Sequence, residues 1–385
     1  MAYVIWAIAT AGLLYILLGY PILLSLNKGR RLPPVAKDPV FEPSVTVIVA
    51  VYNGAAQLRA KLKVLFALAY PAHLLEIIIV SDGSTDDTDA IAQEYSKQGV
   101  ILIRAPRGGK AAALNYGIAR AAGQVLFFTD VRQALHPDAL RHLVSNLADP
   151  TVGAVTGELR LVKGDQGEQA DMDLYWRYEL WARLRHSQID SVFNTTGCIY
   201  AIRRELVSPI PTDTLTDDAV LPLRVFFRGY RVIYDPAAIA YDDPALTGTE
   251  FRRRFRTLAG LWQVHSRFPE LFTSANRMRW HFLSHKFGRL ALPWTILSAI
   301  GATLAMPESL FRSALLVCEA IPFALGLLNL VIPSGWAIKR LCSPAQTFVV
   351  MNAASLSAIA VFFMPATQIW KPTQVQTSKK RGADI

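Results

Sequence analysis

Charged residues are scarce in this sequence. Asp, Glu, Lys and Arg together make up 18% of the 385 residues, whereas hydrophobic residues make up 52%. The mean hydropathy of +0.27 is too apolar for an ordinary soluble protein and indicates membrane segments. The length allows two or three domains.

Cysteine is almost absent as well. Cys198, Cys318 and Cys342 are scattered along the chain, so they indicate neither a disulfide framework nor a zinc site and suit a reducing compartment. The net charge is +10, but no nucleic-acid recognition motif or dense basic array accompanies it. We therefore expect no nucleic-acid partner, and we assign the positive charge to anionic lipid and phosphate ligands.

Two common nucleotide-binding signatures are missing. No strand pattern is followed by Gly-x-Gly-x-x-Gly, which argues against a dinucleotide fingerprint. The stretch "RAPRGGKAA" contains Gly-Lys, but Arg104 and Ala111 stand where a Walker A loop needs Gly and Ser or Thr. This pattern argues against a P-loop.

The N-terminal region supplies an apolar run without charge. Residues 2–26 are long enough to cross a bilayer, and we expect a transmembrane helix over 1–27. The basic residues Lys28, Arg30 and Arg31 follow this run, whereas a cleavable signal peptide has them in front. The positive-inside rule then predicts an outside N-terminus and a cytoplasmic domain after the helix.

The C-terminal third carries further apolar runs, near 290–306, 311–332 and 345–368. They predict interfacial helices over 246–288, about three transmembrane helices over 289–370 and a tail over 371–385. Lys339 and Arg340 fit a cytoplasmic loop. Three spans would place the C-terminus outside, yet the tail is basic, with Lys371, Lys379, Lys380 and Arg381. One of the segments is therefore re-entrant or interfacial, or the tail lies outside; both alternatives stay open.

The segment 36–245 has a different pattern. Short β-branched runs alternate with helical patterns, which predicts an α/β domain with a mainly parallel sheet covered on both faces. Ligands of such sheets bind beyond the carboxyl ends of the strands. Three strand ends carry polar residues, namely Tyr52 with Asn53, Ser81 with Asp82, and Thr129 with Asp130. Each alone is typical of a turn or helix cap, but three at one edge indicate a site.

Three ordered motifs carry a family resemblance. The stretches "VAVYNGAAQL", "IIIVSDGSTDDT" and "RGGKAAALNYGI" make residues 43 to about 265 resemble the inverting glycosyltransferases of family 2. The resemblance extends to the membrane-integrated branch, which includes synthases of cellulose, hyaluronan and poly-N-acetylglucosamine. It implies a GT-A domain with transmembrane helices at both ends. It also implies that Tyr52, Asn53, Asp82 and Lys110 bind a UDP-sugar, with glucose or N-acetylglucosamine as the sugar.

The resemblance also implies a metal site. Asp130 matches the first Asp of the family's Asp-x-Asp and would ligate Mg²⁺ or Mn²⁺ at the donor diphosphate. Arg132 stands in place of the second Asp. It either contacts the diphosphate as a fixed positive charge or turns outward and leaves Asp130 as one protein ligand among waters and phosphates.

Later motifs imply the acceptor side. In "TLTDDAVLPLRVFFRGY" the resemblance makes Asp218 the general base, which takes the proton from the acceptor hydroxyl. It places Asp217, Gly197 and Cys198 at the acceptor. The family's Gln-x-x-Arg-Trp is eroded in "EFRRRFRTLAGLWQV". There Arg256 remains to bind phosphate, and Trp262 is the candidate to stack on the acceptor sugar.

The sequence thus predicts a metal-dependent, multi-pass glycosyltransferase of the plasma (inner) membrane with a cytoplasmic catalytic domain. Its acceptor is a growing exopolysaccharide, made with possible accessory export subunits, or a lipid-linked acceptor. The tail stretch "QIWKPT" favours the polymer. The alternative from another class is a catalytically silent membrane subunit or regulatory pseudoenzyme of an export complex. Arg132 and the eroded motif favour that alternative, and the retained Asp82, Lys110, Asp130 and Asp218 oppose it.

Overall fold

The computed structural model describes residues 1–26, 32–163, 168–169, 174–243, 250–333 and 336–369. These residues form two compact units. The sheet unit contains the described residues within 30–171, 183–246 and 365–385, and the helical unit contains those within 1–29, 172–182 and 247–364. The predicted tail at 371–385 and most of "QIWKPT" lie outside the described residues, and the domain boundaries stay predictions.

The elements follow one another along both units. In chain order they are α1 (Ala2–Leu14), α2 (Tyr20–Leu26), β1 (Val45–Val51), α3 (Ala55–Phe66), β2 (Leu75–Asp82), α4 (Thr88–Glu94), β3 (Val100–Ala105), α5 (Lys110–Arg120), β4 (Val125–Phe128), β5 (Ala134–Leu135), α6 (Ala139–Asn146), β6 (Val152–Lys163), β7 (Glu168–Gln169), α7 (Leu174–Ile189), β8 (Tyr200–Arg203), α8 (Asp217–Phe227), β9 (Arg231–Asp242), α9 (Glu250–Arg267), α10 (Arg279–His281), α11 (Gly288–Leu304), α12 (Leu310–Leu328), α13 (Lys339–Ser357) and α14 (Ala366–Ile369).

The sheet unit is built on one mixed sheet. Its strand order is β3-β2-β1-β4-β8-β6-β9-β5, and β7 pairs with β6. The half formed by β3, β2, β1 and β4 is parallel throughout. The sequence "VTVIVAV" of β1 is buried along nearly its whole length, as expected for a strand covered on both faces. The predicted α/β architecture is confirmed. The antiparallel strands β5, β7 and β8 were not anticipated.

The register of the parallel strands fixes the site. Strand β1 lies between β2 and β4, with Val51 opposite Ser81 and Ile48 opposite Phe128. Since all three strands run the same way, their carboxyl ends reach one edge of the sheet. Asp82 at the end of β2, Tyr52 just after β1 and Asp130 shortly after β4 therefore lie along that edge.

The helical unit contains long apolar helices. Within the described part of the chain, four helical segments are long and apolar enough to cross a membrane, namely Ala2–Leu26, Arg279–Leu304, Leu310–Leu328 and Lys339–Phe362. One precedes the sheet unit in sequence and three follow it, as predicted. The first of the three begins at Arg279, earlier than the apolar run suggested, because α10 continues through a π-helical turn into α11. Lys339 donates to the carbonyls of Asn329 and Ile332 at 2.7 Å, so it caps the turn after α12.

Candidate active site

The loops after β1 and β2 are joined to each other at the sheet edge. Asn53 has a left-handed backbone with φ of 48°, a conformation that Asn tolerates better than most residues. Its Oδ1 accepts a hydrogen bond from the backbone N–H of Thr85 at 2.8 Å. The backbone N–H of Gly54 donates to Thr88 Oγ1 at 2.9 Å. Asn53 thus holds two neighbouring loops of the predicted nucleotide site in place.

Asp82 is bound to the glycine-rich loop before α5. Its carboxylate accepts hydrogen bonds from the backbone N–H groups of Gly108 at 2.7 Å and of Gly109 at 3.0 and 3.1 Å. Arg107 pairs with the same carboxylate, and the Arg107 guanidinium carbon lies 3.8 Å from the ring centroid of Tyr52. The sequence predicted Tyr52 and Asp82 at the nucleotide, but it did not predict that Arg107 would join them.

Lys110 connects the donor edge to the helix that carries the predicted base. Its Nζ lies 2.9 Å from Asp130 Oδ1 and 3.3 Å from Asp217 Oδ1. Burial opposes the charge of Lys110, but Asp130, Asp217 and Asp218 outweigh it and hold the Lys110 pKa above its ordinary value. Tyr200 donates to Asp217 Oδ2 at 3.0 Å. The structure therefore brings four predicted residues together, Lys110, Asp130, Asp217 and Asp218.

Asp218 has the titration behaviour that a base at neutral pH needs. Burial, followed by the neighbouring Asp217, raises the pKa of Asp218 to about 7. A Cβ placed on Gly197 would lie 3.3 Å from Asp218 Oδ2, so the glycine lets the backbone of this loop pack close to the carboxylate. The first turn of α8 is tied to the same loop by Thr195, whose N–H donates to the Asp218 carbonyl at 2.7 Å. Gly197 and Asp218 thus lie side by side.

Cys198 differs from its neighbour. Its side chain is 4% exposed within the core of the sheet unit, and burial raises the pKa of the thiol. The Cys198 side chain therefore contributes packing to the core next to Gly197. With its thiol buried, Cys198 can contact an acceptor only through its backbone, and that contact stays a prediction.

Arg132 forms an ion pair within the protein. Its Nη2 lies 2.5 Å from Asp242 Oδ2 at the end of β9, and Gln133 Nε2 donates to the same oxygen at 2.8 Å. Asp242 is buried. The sequence left open whether Arg132 contacts the diphosphate or turns outward. In the structure Arg132 pairs with Asp242, which lies 110 residues away in the chain.

Lys61 was not predicted at all. It lies in α3 with 2% of the residue exposed, and its Nζ donates to Thr129 Oγ1 at 2.7 Å and to the Gln133 carbonyl at 2.8 Å. Burial lowers the pKa of Lys61 to about 8, against the nearby Cys198 and Asp130. A signal existed in the sequence, because Lys61 shares its helix face with the buried Leu58, Leu62 and Leu65.

Asp130 fits a divalent ion as one ligand among several. Its carboxylate is 38% exposed at the sheet edge and offers the hard oxygen that Mg²⁺ and Mn²⁺ prefer. Among the described residues, no group of three or more His, Cys, Asp or Glu side chains could hold a metal ion. An ion at Asp130 would therefore draw further ligands from diphosphate and water, an arrangement common for Mg²⁺.

The remaining predicted residues lie in the helical unit. Arg256 and Trp262 belong to α9. The Trp262 ring packs against Phe362 and His265, each with ring centroids 6.2 Å away. Their predicted roles toward phosphate and acceptor sugar stay predictions.

A second cluster of charges lies in the helical unit. Glu179 Oε1 accepts from Lys286 at 2.6 Å, and Glu179 Oε2 lies 3.1 Å from Arg289 and 3.3 Å from His285 Nε2. Burial would raise the pKa of Glu179, but these basic groups outweigh it and hold the Glu179 pKa well below its ordinary value. Arg289 also donates to Tyr175.

Comparison with known proteins defines the class. The model of the family "Glycosyl transferase family 2" matches residues 46–210, the segment that contains β2 to β4 and Gly197. Residues 46–210 therefore form a family 2 glycosyltransferase domain, and the predicted GT-A fold is confirmed. The expectation of a family 2 transferase is confirmed for this domain.

The sequence identity to individual relatives is low. The chain is 28% identical over 269 residues to "Probable glycosyltransferase YdaM" of Bacillus subtilis, covering 65% of this chain and 63% of that protein. It is 27% identical over 267 residues to a poly-beta-1,6-N-acetyl-D-glucosamine synthase of Staphylococcus aureus, covering 67% of this chain and 60% of the synthase. The chain thus spans about three fifths of the length of these curated relatives.

One solved structure matches nearly the whole chain. It is a mannosyltransferase of Pyrobaculum calidifontis in complex with GDP-Man and Mn²⁺, with a TM-score of 0.75 and 26% identity. The match covers 94% of this chain and 99% of that one.

Proposed function

We propose that this protein transfers a sugar from a nucleotide diphosphate sugar, with inversion at the anomeric carbon, to the hydroxyl group of an acceptor. The observation that carries the proposal is the geometry at the sheet edge, where Lys110 Nζ lies 2.9 Å from Asp130 Oδ1 and 3.3 Å from Asp217 Oδ1, with Asp218 next to Asp217 in the first turn of α8. Lys110 links this base region to Asp130 at the nucleotide edge. A base and an anion-binding edge on the same side of the sheet are what a direct displacement requires.

The residues divide the reaction between them. Asp218 takes the proton of the acceptor hydroxyl, and the acceptor oxygen forms a bond to the anomeric carbon. The bond from that carbon to the diphosphate oxygen breaks, and the nucleoside diphosphate leaves with the electron pair. Lys110 faces the negative charge that builds on the leaving group. A Mg²⁺ or Mn²⁺ ion, when bound at Asp130, would neutralise part of that charge.

The donor is proposed to be a UDP-sugar carrying glucose or N-acetylglucosamine. The name of the S. aureus relative supports N-acetylglucosamine. The Pyrobaculum structure contains GDP-Man, so GDP-Man belongs among the donors to be tested. Mn²⁺ in the same structure supports a divalent ion at Asp130.

The four long apolar helices support insertion in a membrane. We place the protein in the plasma (inner) membrane as a multi-pass protein, with the sheet unit on the cytoplasmic side, where nucleotide sugars are made. The basic residues after the N-terminal helix support this orientation.

A cavity in the helical unit favours a lipid-linked acceptor over a free glycan chain. The cavity has a volume of about 290 Å³. Its lining includes the apolar side chains of Leu17, Leu292 and Met351 and the polar side chains of Ser284, His285, Arg289, Thr347, Asn352 and Ser355. The Ser355 Oγ is buried without a hydrogen-bond partner among the described residues. The apolar part of the lining suits a lipid chain, and the polar side chains suit a polar head group.

A donor panel tests the proposal. Purified protein in nanodiscs is given UDP-glucose, UDP-N-acetylglucosamine or GDP-Man with Mn²⁺. Release of nucleoside diphosphate is measured without an acceptor, with a lipid-linked sugar that has free hydroxyl groups, and with an oligosaccharide. We expect one donor to be turned over, faster with the lipid. Asp213→Asn, which alters an exposed carboxylate just before α8, is the matched control for Asp218→Asn.

The outcomes separate the candidate functions. Release that depends on Asp218 but not on Asp213 supports the transferase. Release stimulated by oligosaccharide and not by lipid contradicts the lipid-linked acceptor. The absence of release with every donor and acceptor favours the catalytically silent subunit.

A further inference from the structure

The segment that presents Asp130 is held at both of its ends by one buried lysine. Residues 129–133 leave the end of β4 and enter β5. Lys61 Nζ donates to Thr129 Oγ1 at 2.7 Å at the start of this segment, and to the Gln133 carbonyl at 2.8 Å at its end. The lysine therefore closes a loop of five residues with Asp130 inside it.

Packing alone does not explain a lysine here. Residue 61 lies on the apolar face of α3, where Leu58, Leu62 and Leu65 are fully buried. Lysine is almost never fully buried, and a buried charge costs free energy that an apolar side chain of similar volume avoids. A methionine at this position would pack with the leucines at no such cost, so the ammonium has a reason other than core stability.

The same segment has a second anchor. Beyond Asp130, the side chains of Arg132 and Gln133 both bind Asp242 Oδ2, at 2.5 and 2.8 Å. Val131 packs against the core of the sheet unit. Val131 and Arg132 are thus held within the sheet unit, whereas the Asp130 side chain pairs with Lys110 at the nucleotide edge.

We propose that Lys61 is a positioning residue that fixes the 129–133 segment so that Asp130 presents its carboxylate to a divalent ion and diphosphate. The proposal rests on the function proposed above and adds a residue to it. The reason is entropic: with a single carboxylate in place of Asp-x-Asp, the ion depends on one ligand, and that ligand must be held before the ion arrives.

The test measures ion binding and does not need turnover. Mn²⁺ binding to the full-length protein in nanodiscs is followed by electron paramagnetic resonance in the presence of UDP, and again with GDP. Lys61→Met keeps the length of the side chain and removes its donors. We expect it to weaken Mn²⁺ binding about 10- to 100-fold, the usual effect of removing a group that orients a metal ligand. Lys61→Arg, which keeps a cationic donor, should restore part of the affinity.

Lys63→Met is the matched control. Lys63 lies two residues along the same helix, on its exposed face, so this variant makes the same chemical change without touching the segment. It should bind Mn²⁺ like the wild type. If Lys61→Met folds poorly, Thr129→Val removes one acceptor of the lysine with little change of volume, and it should weaken Mn²⁺ binding in the same direction.

Two results would overturn the role of Lys61. One is a Mn²⁺ titration of Lys61→Met that coincides with that of Lys63→Met. The other is weakened binding in Lys61→Met together with unchanged binding in Thr129→Val, which would assign the effect to lost charge instead of positioning. A wild-type protein that binds Mn²⁺ with nucleotide but turns over no donor would contradict the proposed function and leave the comparison of these variants intact.

Discussion

Both units of the molecule contain a cluster of paired charges, and the two clusters are balanced in opposite ways. At the sheet edge, Lys110 is shared by Asp130 and Asp217, with Asp218 nearby. In the helical unit, Glu179 is shared by Lys286, Arg289 and His285. Carboxylates outnumber the cation in the first cluster, whereas basic groups surround one carboxylate in the second.

This difference sets the pKa of each key acid in opposite directions. Burial and Asp217 raise the pKa of Asp218 to about 7, whereas the basic groups hold that of Glu179 well below its usual range. A carboxyl group that exchanges its proton near neutral pH suits a base, and one that stays ionised suits a structural anchor. The two clusters should therefore respond to mutation in different observables.

Asp218→Asn should have the largest effect of all. It removes the group that takes the acceptor proton, so turnover should fall about 10²- to 10⁴-fold. Nucleotide binding should change little, because the proposed role of Asp218 is toward the acceptor hydroxyl and not toward the nucleotide. Steady-state kinetics measure the turnover, and a UDP titration measures nucleotide binding. Wild-type turnover in this variant would contradict the assignment of Asp218 as the base.

Glu179→Gln should act on stability instead. It leaves Lys286 and Arg289 beside each other without their shared anion, and breaking a buried ion pair costs about 3–5 kcal/mol. The midpoint of thermal unfolding in detergent should fall clearly, while the turnover of the protein that stays folded is kept.

Glu94→Gln is the control for that prediction. Glu94 pairs with Arg59 on the surface, where 51% of each side chain is exposed, so its thermal midpoint should not change measurably. Equal midpoints for Glu179→Gln and Glu94→Gln would show that the helical cluster is not a structural anchor.

The pH dependence sharpens the comparison further. Since Asp218 must be ionised to act, kcat should rise with pH and level off above about 7, with roughly a tenfold change between pH 6 and pH 8. The raised pKa also means that the folded state binds this proton more tightly than the unfolded state. Stability should therefore fall as pH rises through the window from the ordinary Asp value to about 7.

Asp218→Asn removes that titration. At pH 8 the variant should be more stable than the wild type, by an amount on the order of 2–4 kcal/mol, and its thermal midpoint should vary less between pH 5 and pH 8. A wild-type kcat that is flat over this range would contradict the raised pKa.

The sequence predicted those parts of the site that depend on local pattern. The alternation of β-branched runs and helical patterns predicted the parallel strands. Because these strands run in the same direction, the sequence also predicted that Asp130 lies near the loops after β1 and β2. The family resemblance placed Lys110 at the nucleotide and assigned Asp217 and Asp218 to the acceptor side, but it did not predict the contact of Lys110 with Asp217. Each motif is written within a few residues, so a single sequence contains it.

The contacts that the sequence did not predict are long-range. Asp242 lies 110 residues from Arg132, and Glu179 lies 107 residues from Lys286. Side-chain pairs of this kind depend on how strands β5 and β9 align or how helices pack, which local periodicity does not encode. Lys61 was missed for another reason, because a lysine in an amphipathic helix is normally exposed.

The smallest predicted effect concerns Arg132. Because its guanidinium is bound to Asp242, we expect Arg132→Ala and Asp242→Asn each to lower turnover only about two- to tenfold and to raise the Mn²⁺ concentration for half-activity. The turnover of the double variant should be no lower than that of either single variant, since both substitutions remove the same ion pair.

The alternative from the sequence, a direct contact of Arg132 with diphosphate, predicts different results for the same variants. Arg132→Ala would then lower turnover more than it weakens donor binding, and Asp242→Asn, which frees the arginine, would not reproduce its effect. Kinetics of the three variants across an Mn²⁺ series distinguish the ion pair with Asp242 from a contact with diphosphate. Additive losses of turnover in the double variant would refute the ion-pair role.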